Sequence, residues 1–443
     1  MVDILPLNGL MYNLNKPEEI SAVLAPPYDI ISPEQKEKLK KQSPYNIVNL
    51  TLPDETGNLN NYEHASTTLN KWIEKGILEF DKNKNFYLIE ESFSEDDITK
   101  KLTGFIGLVK IEEYGKGKIL RHEKTLPKPK KDRLNLLKKC RTNFEPIYTL
   151  YNDSSGKISK LINNAMSTEA EIITDAKYDP ILGLKLWRIS NNKTIDKIIN
   201  LMKEKILLIA DGHHRYETSR LYKEEIENKL KIKTVPNKLI KNAFLPENYV
   251  MSLFVASNQK DIAIHPTHRV IKFNLSINEA LILDKIRDYF EIENLKNFTA
   301  EFLNKIMLDA KLKGKKSLCI YFRSKNYYLI TLKYNIKTAY RNMGILKQDL
   351  NLEYENLDVN ILHKLLLGSL LNTYKVHGIK FIHTIPEVME NVNSSNFDIG
   401  FILNAPDIDV VENLSLRGEI MPQKSTYFYP KPCSGLVMYK FDM

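Results

Sequence analysis

Cysteine is scarce and scattered: Cys140, Cys319 and Cys433 are the only three in 443 residues, and no two form a Cys-x-x-Cys pair. That spacing excludes a disulfide framework, carries no zinc signature and is the thiol usage of a cytoplasmic protein. No apolar run approaches the roughly 20 residues a membrane-spanning helix needs, and no opening basic segment leads into a long apolar one. A cytoplasmic location without a membrane partner is therefore expected. A Walker A loop, a Gly-x-Gly-x-x-Gly fingerprint, a Gly-x-Ser-x-Gly elbow and a His-Glu-x-x-His helix are all missing. These absences argue against a standard nucleotide fold, a serine hydrolase and a catalytic metal held chiefly by protein ligands. Neither an internal repeat nor a low-complexity tract occurs.

What is present is length and an interspersed charge. The chain is long enough for two or three domains, each able to bury a core. Its 64 Lys+Arg outnumber 55 Asp+Glu by nine, but the two signs mix along most of the chain. Such a balance permits nucleic-acid binding without demanding it. The pattern divides into an α/β segment over 1–100, a central segment over 101–275 and a C-terminal α/β segment over 276–443.

The stretch from Lys205 to Thr218 organises the rest. Five apolar residues, Ile206 to Ala210, read as a buried strand, and Asp211-Gly212 breaks it where a sharp turn is sterically possible. The residues that follow, His213-His214-Arg215, are polar and helix-compatible. A strand ending in such a turn and opening a helix aims backbone N–H groups, the positive helix end and a guanidinium at one place. That place suits an anion. A plain helix cap by Asp211, with the histidines on an exposed first turn, is the competing reading.

Three other stretches carry candidate chemistry. Ala22 to Ala25 reads as a short strand halted by Pro26-Pro27, and Ser32-Pro33 as a helix start with a Ser cap and Pro at the first position. Tyr28 and Asp29 then sit in a rigid loop as candidate substrate binders. Tyr45 to Leu50 alternates as a strand would, and a loop containing Gly57 follows. In the central segment, Arg121-His122-Glu123-Lys124 precedes Pro127 and Pro129, which should exclude regular structure before a helix over 133–140 capped by Asp132. Cations around Glu123 favour its ionised form, so it can accept a proton from a substrate hydroxyl. Near the end, residues 419–437 place Lys424, Ser425, Thr426 and Lys431 between prolines, either as an aromatic plug or as a stiff loop able to hold phosphate oxygens.

With these residues laid out, the whole chain resembles a bacterial and archaeal family known as domain of unknown function 1015. The resemblance rests on Ala25-Pro26-Pro27-Tyr28-Asp29, Arg121-His122-Glu123, Asp132-Arg133, Ala210 to Glu217, Pro266-Thr267-His268-Arg269 and Met421-Pro422 with Lys424 to Lys431. Gln423 departs from the pattern, standing where a second proline is expected. The central segment in turn resembles the ParB/sulfiredoxin fold, whose members include chromosome-partitioning proteins, sulfiredoxin and kinases that phosphorylate free L-serine. The resemblance implies an α/β (α+β mixed-sheet) protein with a ParB/sulfiredoxin-like central core and additional N- and C-terminal α/β segments.

It also implies a small-molecule kinase making O-phospho-L-serine, with pyrophosphate favoured as donor over ADP or ATP and Mg²⁺ as cofactor. Glu123 would be the base, with His122 and Asp211 beside it in the catalytic set. Gly212, His213, His214 and Arg215 would clasp donor phosphates. Lys130, Arg133, His268, Arg269, Lys424, Ser425, Thr426 and Lys431 would assist, and residues 419–437 would close the pocket. The other reading is a phosphate- or nucleotide-responsive DNA-binding module of the partitioning type, which lacks a convincing helix-turn-helix here. Nucleic acid is accordingly not an expected partner.

Overall fold

The computed structural model describes residues 1–13, 17–55, 60–95, 98–125, 127–168, 171–178, 181–232, 245–295, 299–345 and 350–442. The chain divides into two compact units: Met1–Arg121 with Thr125–Ala263 and Pro430–Met443, and His122–Lys124 with Ile264–Tyr429. Among the described residues no helix is long and apolar enough to cross a membrane.

The larger unit is built on a nine-stranded mixed sheet of β1 (Ile4–Leu5), β2 (Phe86–Glu95), β3 (Ile98–Lys110), β4 (Ile119–Arg121), β5 (Ile147–Tyr151), β6 (Glu171–Tyr178), β7 (Ile181–Ile189), β8 (Leu207–Asp211) and β9 (Tyr249–Ala256). The spatial order is β4-β8-β5-β9-β3-β2-β7-β6, with β1 on β3. β8 runs parallel to β4 and antiparallel to β5, and β5 is parallel to β9. Every residue of β5 and β9 is buried, which is why both read as continuous apolar runs. Phe86, Phe105 and Phe254 form the centre, with the Phe105 and Phe254 rings stacked at 4.8 Å. Two helices place the candidate site: α1 (Pro127–Cys140) and α2 (His213–Ile232), which pack on each other.

The expected α/β class with mixed sheets is what the chain forms. The strand expected over Ile206 to Ala210 is found as Leu207–Asp211, followed by the turn at Gly212 and the helix behind it, and the start at Ser32 is also found, its side chain accepting the Gln35 N–H. Three local expectations are corrected. Residues 22–25 do not make a strand, because Pro17–Val23 is helical and buries Ile20, Val23 and Leu24 at helical spacing. Residues 45–50 do not either: Asn46 Oδ1 accepts the Val48 N–H at 3.0 Å and starts a short helix, Val48–Thr51. Pro127 and Pro129 stand inside α1, in the first turn, where proline's missing N–H costs nothing. Asp132 is therefore within the helix and not its cap. The loop holding Gly57 lies outside the described residues.

The smaller unit has an antiparallel six-stranded sheet of β10 (His268–Phe273), β11 (Phe290–Leu295), β12 (Ser317–Phe322), β13 (Tyr327–Leu332), β14 (Val376–Ile382) and β15 (Ile399–Ile402), in the order β11-β13-β12-β15-β10-β14. The helices Ala300–Leu312 and Ile385–Asn393 bury Leu303, Met307, Val388 and Val392 in its core.

Candidate functional site

Gly212 has φ of +88°, and an added Cβ would lie 3.1 Å from both the Arg215 guanidinium and Ile147. Only glycine makes this turn without strain. The turn folds Arg215 back onto the strand ends. Its guanidinium donates to Asp211 and to the Pro146 carbonyl and lies 3.3 Å from Glu145 Oε2. Burial alone would lower the Arg215 pKa, but Glu145, Asp211 and Asp29 outweigh it and hold the cation. Burial raises Glu145 above the ordinary carboxylate range against the pull of Arg215.

Lys431 reaches the same carboxylates: its Nζ donates to Asp211 Oδ1 at 2.5 Å and to Asp29 Oδ2 at 3.2 Å. Arg133 stacks over the Tyr28 ring at 4.2 Å, donates to Asp132 and reaches the Thr51 carbonyl at 2.7 Å. The Tyr28 hydroxyl is held protonated first by burial and then by Asp29. Thus Tyr28, Asp29, Arg133, Asp211, Gly212, Arg215 and Lys431, far apart in sequence, form one cluster. His213 and His214 open α2 beside it, His213 being buried. The cations here are not bare: carboxylates already hold each of them. Among the described residues, no group of three or more His, Cys, Asp or Glu is arranged to hold a metal ion.

One turn along α2, buried Glu217 collects three partners. Arg121 Nη1 donates to one oxygen at 3.1 Å, and Thr125 Oγ1 and Lys130 Nζ donate to the other at 2.8 and 2.9 Å. Burial would raise its pKa, yet the Lys130 and Thr125 hydrogen bonds, with the charges of Lys130 and Arg121, hold it below the ordinary value. Lys130 therefore serves Glu217 in this state and not an anion.

The smaller unit organises the other candidates. Met421 N–H donates to the His122 carbonyl at 2.8 Å, so residue 123 pairs with 421 in a parallel bridge. Lys424 N–H then donates to Glu123 Oε1 at 3.0 Å, with Lys424 at φ of +55°. His122 Nε2 shares a 2.7 Å hydrogen bond with Thr426 Oγ1, and Ser425 Oγ donates to the Pro422 carbonyl at 2.5 Å. Arg269, 1 % exposed, donates to the carbonyls of Thr267 and, at 2.7 Å, Lys424. Its pKa is lowered by burial to about 10, against the opposing pull of Glu123. His268 is pushed down to about 3 by burial and by the charges of Arg269 and His383, so it is neutral, and it accepts the Leu403 N–H. Arg269 thus braces the turn whose Lys424 N–H holds Glu123, whereas His268 is tied to Leu403.

Glu145 and Glu217 were not among the expected site residues. Glu217 lies four residues from His213 on one helix face, a spacing that could have marked it. Glu145 is a lone carboxylate before Pro146, a pattern with no specific signal.

The family model described as "Protein of unknown function (DUF1015)" matches residues 4–360. Among solved structures, a free serine kinase in complex with AMP is similar at 11 % identity and a TM-score of 0.34, covering 75 % of this chain and 90 % of that one. SbnI with a C-terminal truncation from Staphylococcus aureus is similar at 10 % identity and a TM-score of 0.35, covering 75 % and 86 %. A conserved hypothetical protein from Pyrococcus furiosus is similar at 10 % identity and a TM-score of 0.32, covering 72 % and 89 %. At these scores the likenesses decide neither topology nor activity. No curated protein matches the sequence.

Proposed function

We propose that this chain, which belongs to the DUF1015 family, is a phosphotransferase that phosphorylates the hydroxyl of free L-serine, with pyrophosphate as the favoured donor. One observation carries the reading. Glu123 is oriented by the Lys424 N–H, and it stands two residues from Arg121 and two from Thr125, both tied to Glu217 on the helix that begins at the Asp211-Gly212 turn. A base on a short tether and a cation-bearing turn at a helix start are the two parts that phosphoryl transfer needs from a protein, because its charge is spread over oxygens.

The charge pattern of the turn supports a polyphosphate accompanied by a cation over a bare phosphate. Arg215 and Lys431 are held by Asp211, Asp29 and Glu145, so an anion must compete with carboxylates for them. Asp29 and Asp211 offer the one or two carboxylates through which Mg²⁺ is usually bound, and the ion would neutralise charge on the donor. With those carboxylates so occupied, Lys431 and Arg215 would turn to phosphate oxygens. Glu123 would take the proton from the serine hydroxyl, and His122, fixed by Thr426, would keep that loop in place.

The test is to incubate the full chain with L-serine, Mg²⁺ and pyrophosphate, ADP or ATP in turn. O-phosphoserine should form fastest with pyrophosphate. A faster reaction with ADP or ATP would move the donor assignment, and no product with any donor would remove the kinase.

A further inference from the structure

Within the smaller unit, a cavity of about 260 Å³ opens at one end of the antiparallel sheet. Its walls come from the start of β10 (Thr267, Arg269), the residues before β12 (Lys315, Lys316), the chain after β15 (Asn404 to Asp407) and the segment holding Asp358. β15 runs antiparallel to both β10 and β12, so the end of one strand lies beside the beginnings of two. This volume suits a metabolite smaller than the drug-sized ligands of larger pockets.

The polar atoms are unevenly satisfied. Asp358 Oδ2 accepts from the Asn404 N–H at 2.9 Å and from Asn404 Nδ2 at 3.2 Å. The Asp358 side chain makes no other hydrogen bond or ion pair with the described residues, which leaves Oδ1 unused. Thr267 and Arg269 are each 1 % exposed, yet Thr267 Oγ1 and Arg269 Nε have no hydrogen-bond partner among the described residues. Lys311 is neutralised by Asp407 at 2.6 Å. A buried hydroxyl and a buried guanidinium N–H without partners are costly, and a ligand is one way of satisfying them.

We propose that this cavity is an α-amino acid pocket, in which Asp358 Oδ1 accepts from the ligand's ammonium while Arg269 Nε and Thr267 Oγ1 donate to its carboxylate. An unused carboxylate oxygen beside unpaired donors in one small cavity offers a partner to each end of a zwitterion, whereas a simple anion would leave Asp358 Oδ1 without one. Burial raises the Asp358 pKa against the Asn404 hydrogen bonds and the charges of Lys316 and Lys311, and an ammonium beside it would further favour the ionised form. Arg269 also donates to the Lys424 carbonyl, and the N–H of the same residue holds Glu123. The pocket is therefore joined to the loop of the proposed base by one residue. Serine as the preferred amino acid rests on the kinase reading, whereas amino acid recognition by the pocket does not.

Calorimetric titration of the full chain with L-serine, glycerate and ethanolamine tests this. Glycerate lacks the ammonium and ethanolamine lacks the carboxylate, and each should bind about 10- to 100-fold more weakly than serine. Asp358→Asn should weaken serine by a similar factor and leave glycerate unchanged. Thr267→Val removes a buried hydroxyl that has no partner, so it should melt no lower than wild type while weakening serine about tenfold. Glycerate binding as tightly as serine, or unchanged serine affinity in both variants, would overturn the pocket. Phosphoserine formation with both variants at wild-type KM would overturn the pocket and keep the kinase. Serine binding that needs Asp358, without phosphoserine from any donor, would keep the pocket and remove the kinase.

Discussion

Gly212 concentrates the strain of the candidate site at one position. A side chain there meets a positive φ and presses on Arg215. Gly212→Ala should cost about 1–2 kcal/mol and lower turnover by displacing the guanidinium, read by urea unfolding and by the initial rate. A second residue makes a prediction unrelated to chemistry. Glu91, on β2, is 1 % exposed, and neither of its carboxylate oxygens has a partner among the described residues. Burial raises its pKa to about 8. Below pH of about 4 the group is neutral folded or unfolded. As pH rises toward 8, the unfolded chain releases a proton that the native state keeps, so stability falls. Glu91→Met should flatten that slope and exceed wild type at pH 7 by on the order of 3 kcal/mol, measured as unfolding midpoints from pH 5 to 8. At this scale the Asp-Gly turn was readable because glycine at a positive φ is a local constraint. The carboxylates on Arg215 and Lys431 were not, since Asp29 and Lys431 meet across 402 positions of sequence.

Helix starts were readable where a cap declares itself and misread where burial decides. Ser32-Pro33 announces its helix through the side chain alone. The run Ala22 to Ala25 is apolar and short, so strand and buried helix look alike until Ile20, Val23 and Leu24 are seen on one buried face. Asn46 reads as part of a strand because its role is tertiary: its Nδ2 donates to the carbonyls of Ala22 and Leu24 while Oδ1 starts the helix. In α1, prolines that would break a helix interior were tolerated in its first turn. The element-scale prediction concerns the anchor of α2. Glu217 ties down Arg121, Thr125 and Lys130 together, so Glu217→Gln should cost about 1–3 kcal/mol. It should also speed tryptic cleavage between residues 121 and 131 and lower turnover more than tenfold. Unchanged cleavage there would mean that the anchor does not hold the segment.

For the molecule as a whole, the α/β class was available from pattern, as was the passage from the strand that ends at Asp211 into α2. The composition of the large sheet was not, because β1, β2 and β3 join it through long-range pairing that local propensity does not encode. The same holds for the tie between Glu123 and Lys424, separated by 301 positions. Phosphorus NMR of the full chain with L-serine, pyrophosphate and Mg²⁺, comparing wild type with Glu123→Gln, measures the proposed chemistry at its base. Wild type should build up O-phosphoserine, and the variant should be slower by about 10²–10⁴-fold with donor binding intact. Equal rates in the two proteins would contradict the assignment of Glu123, and no phosphoserine from wild type with any donor would contradict the kinase itself.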